Sequence, residues 1–563
     1  MSLNCQYDVL SYPFYLRDQS RRISLETVLP LPENVPRIQG VVGGDLLAEP
    51  PRFVVGEDQI TVSGKLHPYL VYIGKTDEEM YRGAGDEELS DEERGNLRAP
   101  REFGIGWRDE EEPIFEETIQ FPGLRPEMMV DVDTVAAGCV FEKEGEDRVV
   151  ARSQIEIRIH VASQKNAGIL TGVTCVPADR FQAGKEQLLV EEIVGMRRER
   201  LNVQAPLLLP NLKPGLARIV RHSVRPTGLA WEVNRGKIMV KGFLDTSLIY
   251  VGSDDDGRPT EIFTNEWARN AGNGLAFETA LDLEGAEEGM TVIPRVQVVR
   301  AELERSSQRE LRANVRLEVE VKVSRTLTRE MVVEVTSPAN EVLDFQKYLL
   351  EMEEPLGESS GEVDLDLMVN LPFGQPGMDR LLGWRGSPGA VTVEAGEGKV
   401  MLEGMLNLQL FYVAETADET RLVMAEWGSA SGNELPLAGM IDFAGLKPGA
   451  LLRSYLSLEN LNLEMTSERT LRLTGALRVR ALGRTPRAIM VLRDCALVPP
   501  VDPATRPSML FYVVQPGDTL WKIARRYQTT VEALSRSNQV MNPESLESGQ
   551  KLLIPKHPMA AAQ

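Results

Sequence analysis

Cysteine and histidine are scarce in this sequence, with four of each. Cys5, Cys139, Cys175 and Cys495 lie far apart, so neither a disulfide framework nor a C-x-x-C redox or zinc site is expected. Buried free thiols are the simplest reading. His67, His160, His222 and His557 show no H-x-x-x-H spacing and no Cys–His pair on a hydrolase motif, which argues against a zinc or cysteine hydrolase. No metal, no cofactor and no catalytic residue is expected. No apolar run approaches the roughly eighteen residues needed to cross a bilayer, so no membrane span is expected. The opening residues, Met1 to Arg22, lack the basic start, apolar stretch and cleavage site of a secretory signal, which points to a cytosolic location. Basic residues are outnumbered 62 to 84, a net charge of −22. That balance disfavours contact with phosphate backbones, and nucleic acid is not expected as a partner.

The chain is long enough, at 563 residues, for several cores, and three to five domains is the natural division. Part of the acidic excess lies between Thr76 and Glu112, around Gly83, Gly85 and Gly95. A like-charged, glycine-rich run of this kind predicts a solvated loop.

Self-similarity organises the rest. Ile60-Thr-Val-Ser-Gly-Lys-Leu-His-Pro-Tyr-Leu-Val-Tyr72 aligns with Ile238 to Tyr250 and Val400 to Tyr412. Gly64, Gly242 and Gly404 correspond, as do Leu66, Leu244 and Leu406, and Tyr72, Tyr250 and Tyr412. Upstream of each lies a Leu-Pro-x-x-x-Pro motif, at Leu31-Pro32 with Pro36, Leu209-Pro210 with Pro214, and Leu371-Pro372 with Pro376. Glu191-Glu192 with Gly195 matches Glu353-Glu354 with Gly357, and the first copy has Asp18 there. In Arg152 to Val161 and Leu311 to Val323 apolar residues alternate with charged ones, the period of half-buried strands. The expected fold is multidomain and mainly β. Three tandem β-rich, sandwich-like repeats span residues 5–165, 186–327 and 342–498, each long enough to own a core, with the acidic stretch inserted in the first. The glycines are expected where backbones approach closely, the tyrosines at strand ends.

Pro499, Pro500, Pro503 and Pro507 then predict a stiff spacer over 499–509. Residues 510–556 read strand, helix, helix, strand, a small α+β module. Leu520, Ile523, Ala524 and Tyr527 fall on one helix face, with Asp518 as the expected cap, and Thr529 with Glu532 makes a capping-box pattern for a second helix. The Tyr-x-Val-x-x-Gly-Asp-Thr-Leu start at Tyr512, the Asn-x-x-x-Asn-Pro loop from Asn538 and the Gly549-Gln-Lys-Leu-Leu-Ile-Pro555 end resemble a LysM domain. That resemblance implies a βααβ fold and binding of an N-acetylglucosamine-containing glycan such as peptidoglycan. Its groove would use Gly517, Asp518, Thr519 and Leu520 from one loop, and Asn542, Pro543 and Leu546 from the other.

The three upstream units, in their Gly-x-Leu…Leu-x-Tyr signature and Leu-Pro entry, resemble a domain of unknown function found in endospore formers. Units of this kind followed by one LysM are similar to the SipL-like spore-coat morphogenetic proteins. The resemblance implies a mother-cell scaffold at the forespore surface, docking to the coat's basement-layer ATPase or other coat proteins. An exported peptidoglycan-binding wall protein is the alternative reading. A wall-modifying enzyme is a third, and paired carboxylates could serve one. Triplication argues against it, because a catalytic domain would have to be one of three like copies. Gly396-Glu-Gly-Lys-Val400 lacks phosphate-loop spacing and aligns with the Arg235-Gly-Lys-Ile238 turn.

Overall fold

The computed structural model describes the chain apart from residues 1–2, 17, 34, 76–100, 108–111, 175–180, 338–341, 416–419, 429–430, 499–508, 541–545 and 556–563. Most of the acidic stretch, the proline-rich spacer up to residue 508, Cys175 and His557 therefore lie outside the described residues. What is described is mainly β, in several separate sheets, with a small two-helix module near the carboxyl end.

The alternating pattern produces strands of unusual length. In Arg148–Thr174, Ile155, Ile157, Ile159 and Val161 are at most 1% exposed, while the charged residues between them remain partly accessible. Glu310–Thr336 and Thr470–Leu497 are 27 and 28 residues long, about 90 Å at the usual rise. Each of these three strands is the middle of an antiparallel sheet. Glu310–Thr336 lies between Gln182–Leu208 and Thr291–Arg305, and Thr470–Leu497 between Leu343–Asn370 and Leu451–Ser467. Beside Arg148–Thr174 one flank is Met129–Lys143, and the other is split into Asn4–Tyr15 and Gln19–Pro30. The split falls where the two unbroken flanks carry bulges, between Ile193 and Gly195 and between Pro355 and Gly357. Gly357 has a φ of 105°, a conformation that a side chain would strain.

A smaller sheet accompanies each long one. Its central strand is the Gly-x-Leu…Leu-x-Tyr segment: Gln59–Gly74, Lys237–Ser253 and Lys399–Glu415. The tyrosines do not end these strands as expected. They sit inside them, buried, and each phenol donates to the last proline of the Leu-Pro-x-x-x-Pro motif. Tyr72 Oη reaches Pro36 O at 2.9 Å, Tyr250 reaches Pro214 at 3.2 Å and Tyr412 reaches Pro376 at 2.9 Å. A buried phenol needs a partner, and a buried proline carbonyl needs a donor. At Gly404 the close approach is explicit, since a Cβ there would stand 2.2 Å from Ala390 O.

Each long sheet buries a core against its own small sheet, and smaller apolar clusters join the three pairs to one another. Beyond the bulges the outer halves of the long ribbons pack on each other through Leu10, Ile169, Leu188, Met331, Leu350 and Val491. The smaller sheets meet through Val71, Val220, Ile249, Leu382, Phe411 and Leu422. A two-stranded ribbon has too little surface to bury its own apolar face, so three ribbons close against one another. Charge closes the same junction. Arg453 Nη2 reaches Asp131 Oδ2 at 3.0 Å, Arg484 pairs with Glu191 at 2.9 Å, and Arg295 pairs with Asp133.

Candidate functional site

The carboxyl-terminal module folds as strand Leu510–Val513, helix Leu520–Arg526, helix Val531–Asn538 and strand Lys551–Ile554. The two strands pair antiparallel. Val514, Leu520, Ile523, Ala524, Leu534 and Leu552 form its core, so the i, i+3, i+4 stripe of the first helix faces inward. Asn538 ties the second helix to the last strand. Its Oδ1 accepts from Leu553 N at 2.6 Å and its Nδ2 donates to Leu553 O at 2.8 Å.

Both caps differ from expectation by one residue. Thr519, not Asp518, caps the first helix, its Oγ1 accepting from Lys522 N at 3.2 Å. Asp518 is otherwise engaged: its Oδ2 accepts from Tyr512 Oη at 2.6 Å and from Gln515 N at 2.8 Å. The carboxylate therefore shapes the strand-to-helix loop by closing it onto the first strand. Burial, and then the bond to Asp518, raises the Tyr512 pKa to about 12. Thr530 caps the second helix by accepting from Ala533 N at 3.1 Å. Thr529 is buried behind it.

Of the expected groove residues, Gly517 and Thr519 are exposed, and Asp518 is half-buried and held by Tyr512. Leu520 is 1% exposed and belongs to the core beneath the loop rather than to its surface. Leu546 is half-buried against that core, while Asn542 and Pro543 lie outside the described residues. Gly517 has a φ of 86°, which suits glycine at this turn. Sequence reasoning missed Lys522, whose Nζ donates to Gly517 O at 3.0 Å, and the roles of Tyr512 and Asn538, although both stood within the quoted motifs. Trp521 is 45% exposed beside this loop, with the Arg525 guanidinium 5.1 Å from its ring.

The loop thus offers main-chain polar groups, a hydroxyl and a neighbouring indole face. Such a surface suits a neutral, acetamido-bearing sugar better than it suits proton transfer. Among the described residues no group of three or more His, Cys, Asp or Glu could hold a metal ion. Among them, too, no helix is long and apolar enough to cross a membrane.

Comparison with known proteins bears on both parts of the chain. The LysM domain family matches residues 512–555, and the SipL SPOCS domain family matches residues 216–304. The second match covers the middle small sheet and most of Thr291–Arg305. The chain is similar to the Cortical fragment-lytic enzyme of Bacillus subtilis (strain 168), 47% identical over 47 residues, which is 8% of this chain and 11% of the relative. It is also similar to the Spore coat assembly protein ExsA of Bacillus cereus, 42% identical over 48 residues and 8% of either chain. The chain thus spans about a tenth of the length of these curated relatives. No solved structure matches. This chain therefore carries a SipL SPOCS domain in its middle and a LysM domain at residues 512–555.

Proposed function

We propose that the chain is a non-enzymatic scaffold of spore-coat or spore-envelope assembly, made in the mother cell and acting at the forespore surface. The observation that carries this reading is the union of a SipL SPOCS domain with a LysM domain in one chain. The first implies involvement in the spore coat and the second implies peptidoglycan binding. Similarity to a protein named for spore coat assembly, over 48 residues, supports the same context.

The β-rich body is proposed to comprise three SPOCS-type units, over residues 4–174, 182–336 and 343–497. Support comes from the recurring sheet order, the matching bulges and the three Tyr-to-Pro hydrogen bonds. The body's proposed partners are the basement-layer ATPase and other coat proteins. The LysM groove is proposed to hold glycan on the loop of Gly517, Asp518 and Thr519, with Asn542, Pro543 and Leu546 contributing from the second loop and Leu520 supporting the first from the core. A single shallow module binds weakly, so retention at the forespore would come from several attachments acting together.

The test pairs sedimentation with localisation. The intact chain should pellet with purified peptidoglycan, a chain lacking residues 510–556 should not, and a fluorescent fusion should ring the forespore. A ring without sedimentation assigns the LysM domain to protein docking. The similarity to a cortical fragment-lytic enzyme over 47 residues favours one rival, a wall-modifying enzyme. Release of soluble fragments from peptidoglycan by the intact chain would establish that rival. Recovery from the medium or on vegetative walls would favour an exported wall-binding protein.

A further inference from the structure

Beyond their bulges the three long ribbons run to a common end, where a small apolar cluster joins them. Each ribbon brings one cross-strand pair to that cluster at the same level, one residue before a register shift at Gln6, Gly184 or Gln346. The pairs are Cys5 with Val173, Ala183 with Val335, and Phe345 with Cys495. Burial alone asks only for an apolar side chain at these places, and Val173, Ala183, Val335 and Phe345 meet that need. The other two residues are thiols, one on Asn4–Tyr15 and one on Thr470–Leu497, the first and last strands of the body.

These two thiols are neighbours although 490 positions separate them: Cys5 Sγ donates to Cys495 O at 3.2 Å. Tyr7 Oη donates to Asp494 Oδ1 at 2.6 Å, which holds the same two strands together beside the thiols. Cys495 is buried and Cys5 half-buried. Burial, and then the adjacent Cys5, raises the Cys495 pKa to about 12. Cys5 is therefore the thiol that solvent-borne reagents meet first, with Cys495 behind it.

We propose that Cys5 and Cys495 form a reversible disulfide that clasps the first strand of the body to the last. Turning of the two side chains about χ1 brings the sulfurs together, since a disulfide joins Cα atoms about 4.4–6.8 Å apart. The oxidant is a small-molecule disulfide. Cys5, as thiolate, attacks one sulfur of the oxidant and expels a thiolate, leaving a mixed disulfide on Cys5. Cys495 gives its proton to the expelled thiolate and attacks the Cys5 sulfur, which releases the second small thiolate. Two protein thiols and one small disulfide thus become one protein disulfide and two small thiols. The bond closes a loop around nearly the whole body, removing much of the freedom of the unfolded chain. It also fastens the end of Thr470–Leu497, from which the chain runs on to the LysM module.

The test uses the intact chain, fully reduced and then treated with oxidised glutathione. Digestion without reduction, followed by mass spectrometry, should yield one peptide pair joining Cys5 to Cys495 within a single chain. Two of the four thiols should be lost, and the Tm should rise by a few degrees and fall back when dithiothreitol is added. Cys5→Ser and Cys495→Ala should each abolish the peptide pair and make the Tm insensitive to the oxidant. Cys139→Ala and Cys175→Ser should preserve both responses. The peptide map of the unaltered chain decides the matter even where a variant fails to fold. The proposal is overturned if the thiols stay free or stop at mixed disulfides with glutathione, if Cys5 or Cys495 pairs with Cys139 or Cys175, or if the bond forms only between chains.

Discussion

Replacing Arg221 with methionine should loosen three parts of the chain at once. Its guanidinium is 1% exposed, donates from Nε to Asp45 Oδ2 at 2.8 Å and from Nη2 to Gln409 Oε1 at 3.0 Å, and lies 4.3 Å from the centre of the Phe411 ring. Asp45 belongs to the amino-terminal small sheet, Arg221 to the middle one and Gln409 to the third. Methionine keeps much of the volume but leaves Asp45, among the described residues, with Arg385 alone as cationic partner, at 3.9 Å. Breaking a buried pair from one side costs about 3–5 kcal/mol, most of it the penalty of the charge left behind. Asp45→Leu should cost a similar amount by leaving the guanidinium buried without a counter-ion. The double variant removes both charges and should cost less than either single change, a coupling of about 2 kcal/mol or more. Urea unfolding followed by far-ultraviolet circular dichroism and by tryptophan fluorescence measures this. Trp107, Trp231 and Trp384 report on the three small sheets, and the transitions should coincide if the shared core melts as one body. Single variants costing under about 1 kcal/mol, or costs that simply add, would refute the reasoning.

Three other outcomes are expected. His67 lies 2.7 Å from Glu112 and 2.9 Å from Glu49. Burial opposes its charge, but the bonds to Glu112 and Glu49 prevail and raise its pKa to about 9. With an unfolded value of about 6.5, its contribution should be complete below about pH 6.5 and lost as pH rises through the folded value. The urea midpoint should therefore fall across that window, and His67→Gln should flatten this part of the profile. Tyr72→Phe, Tyr250→Phe and Tyr412→Phe should each cost about 1 kcal/mol, with the urea m-value unchanged, by leaving a proline carbonyl without its donor. Thr519→Ala should cost the LysM module about 1 kcal/mol through its lost cap. Asp518→Ala should free Tyr512 and Gln515, speeding hydrogen exchange in residues 512–555 and reducing sedimentation with peptidoglycan.

Local pattern was the legible part of this molecule. The two-residue period of Ile155, Ile157, Ile159 and Val161 is a property of neighbouring residues, and so it reads directly as a strand. The stripe of Leu520, Ile523 and Ala524 reads as a buried helix face for the same reason. Caps were legible only to within one residue. Asp518 and Thr519 are both good caps, and the choice fell to Thr519 because Tyr512 and Gln515 had taken the carboxylate. The fixed distance between the Leu-Pro-x-x-x-Pro motif and the tyrosine was visible, while the hydrogen bond that explains it was not.

The sequence by itself determined that this chain is mainly β, that its last module is βααβ, and that Leu520, Ile523, Ala524 and Tyr527 share one helix face, because each follows from periodicity or a dense local motif. Only the tertiary structure decided that the outer halves of the long ribbons share a core and that Arg221 is buried between Asp45 and Gln409. Those partners stand 176 and 188 positions apart. No local preference selects among so many charged residues at such separations. The selection comes from ribbons that must close their apolar faces against one another, carrying particular charges inward as they do.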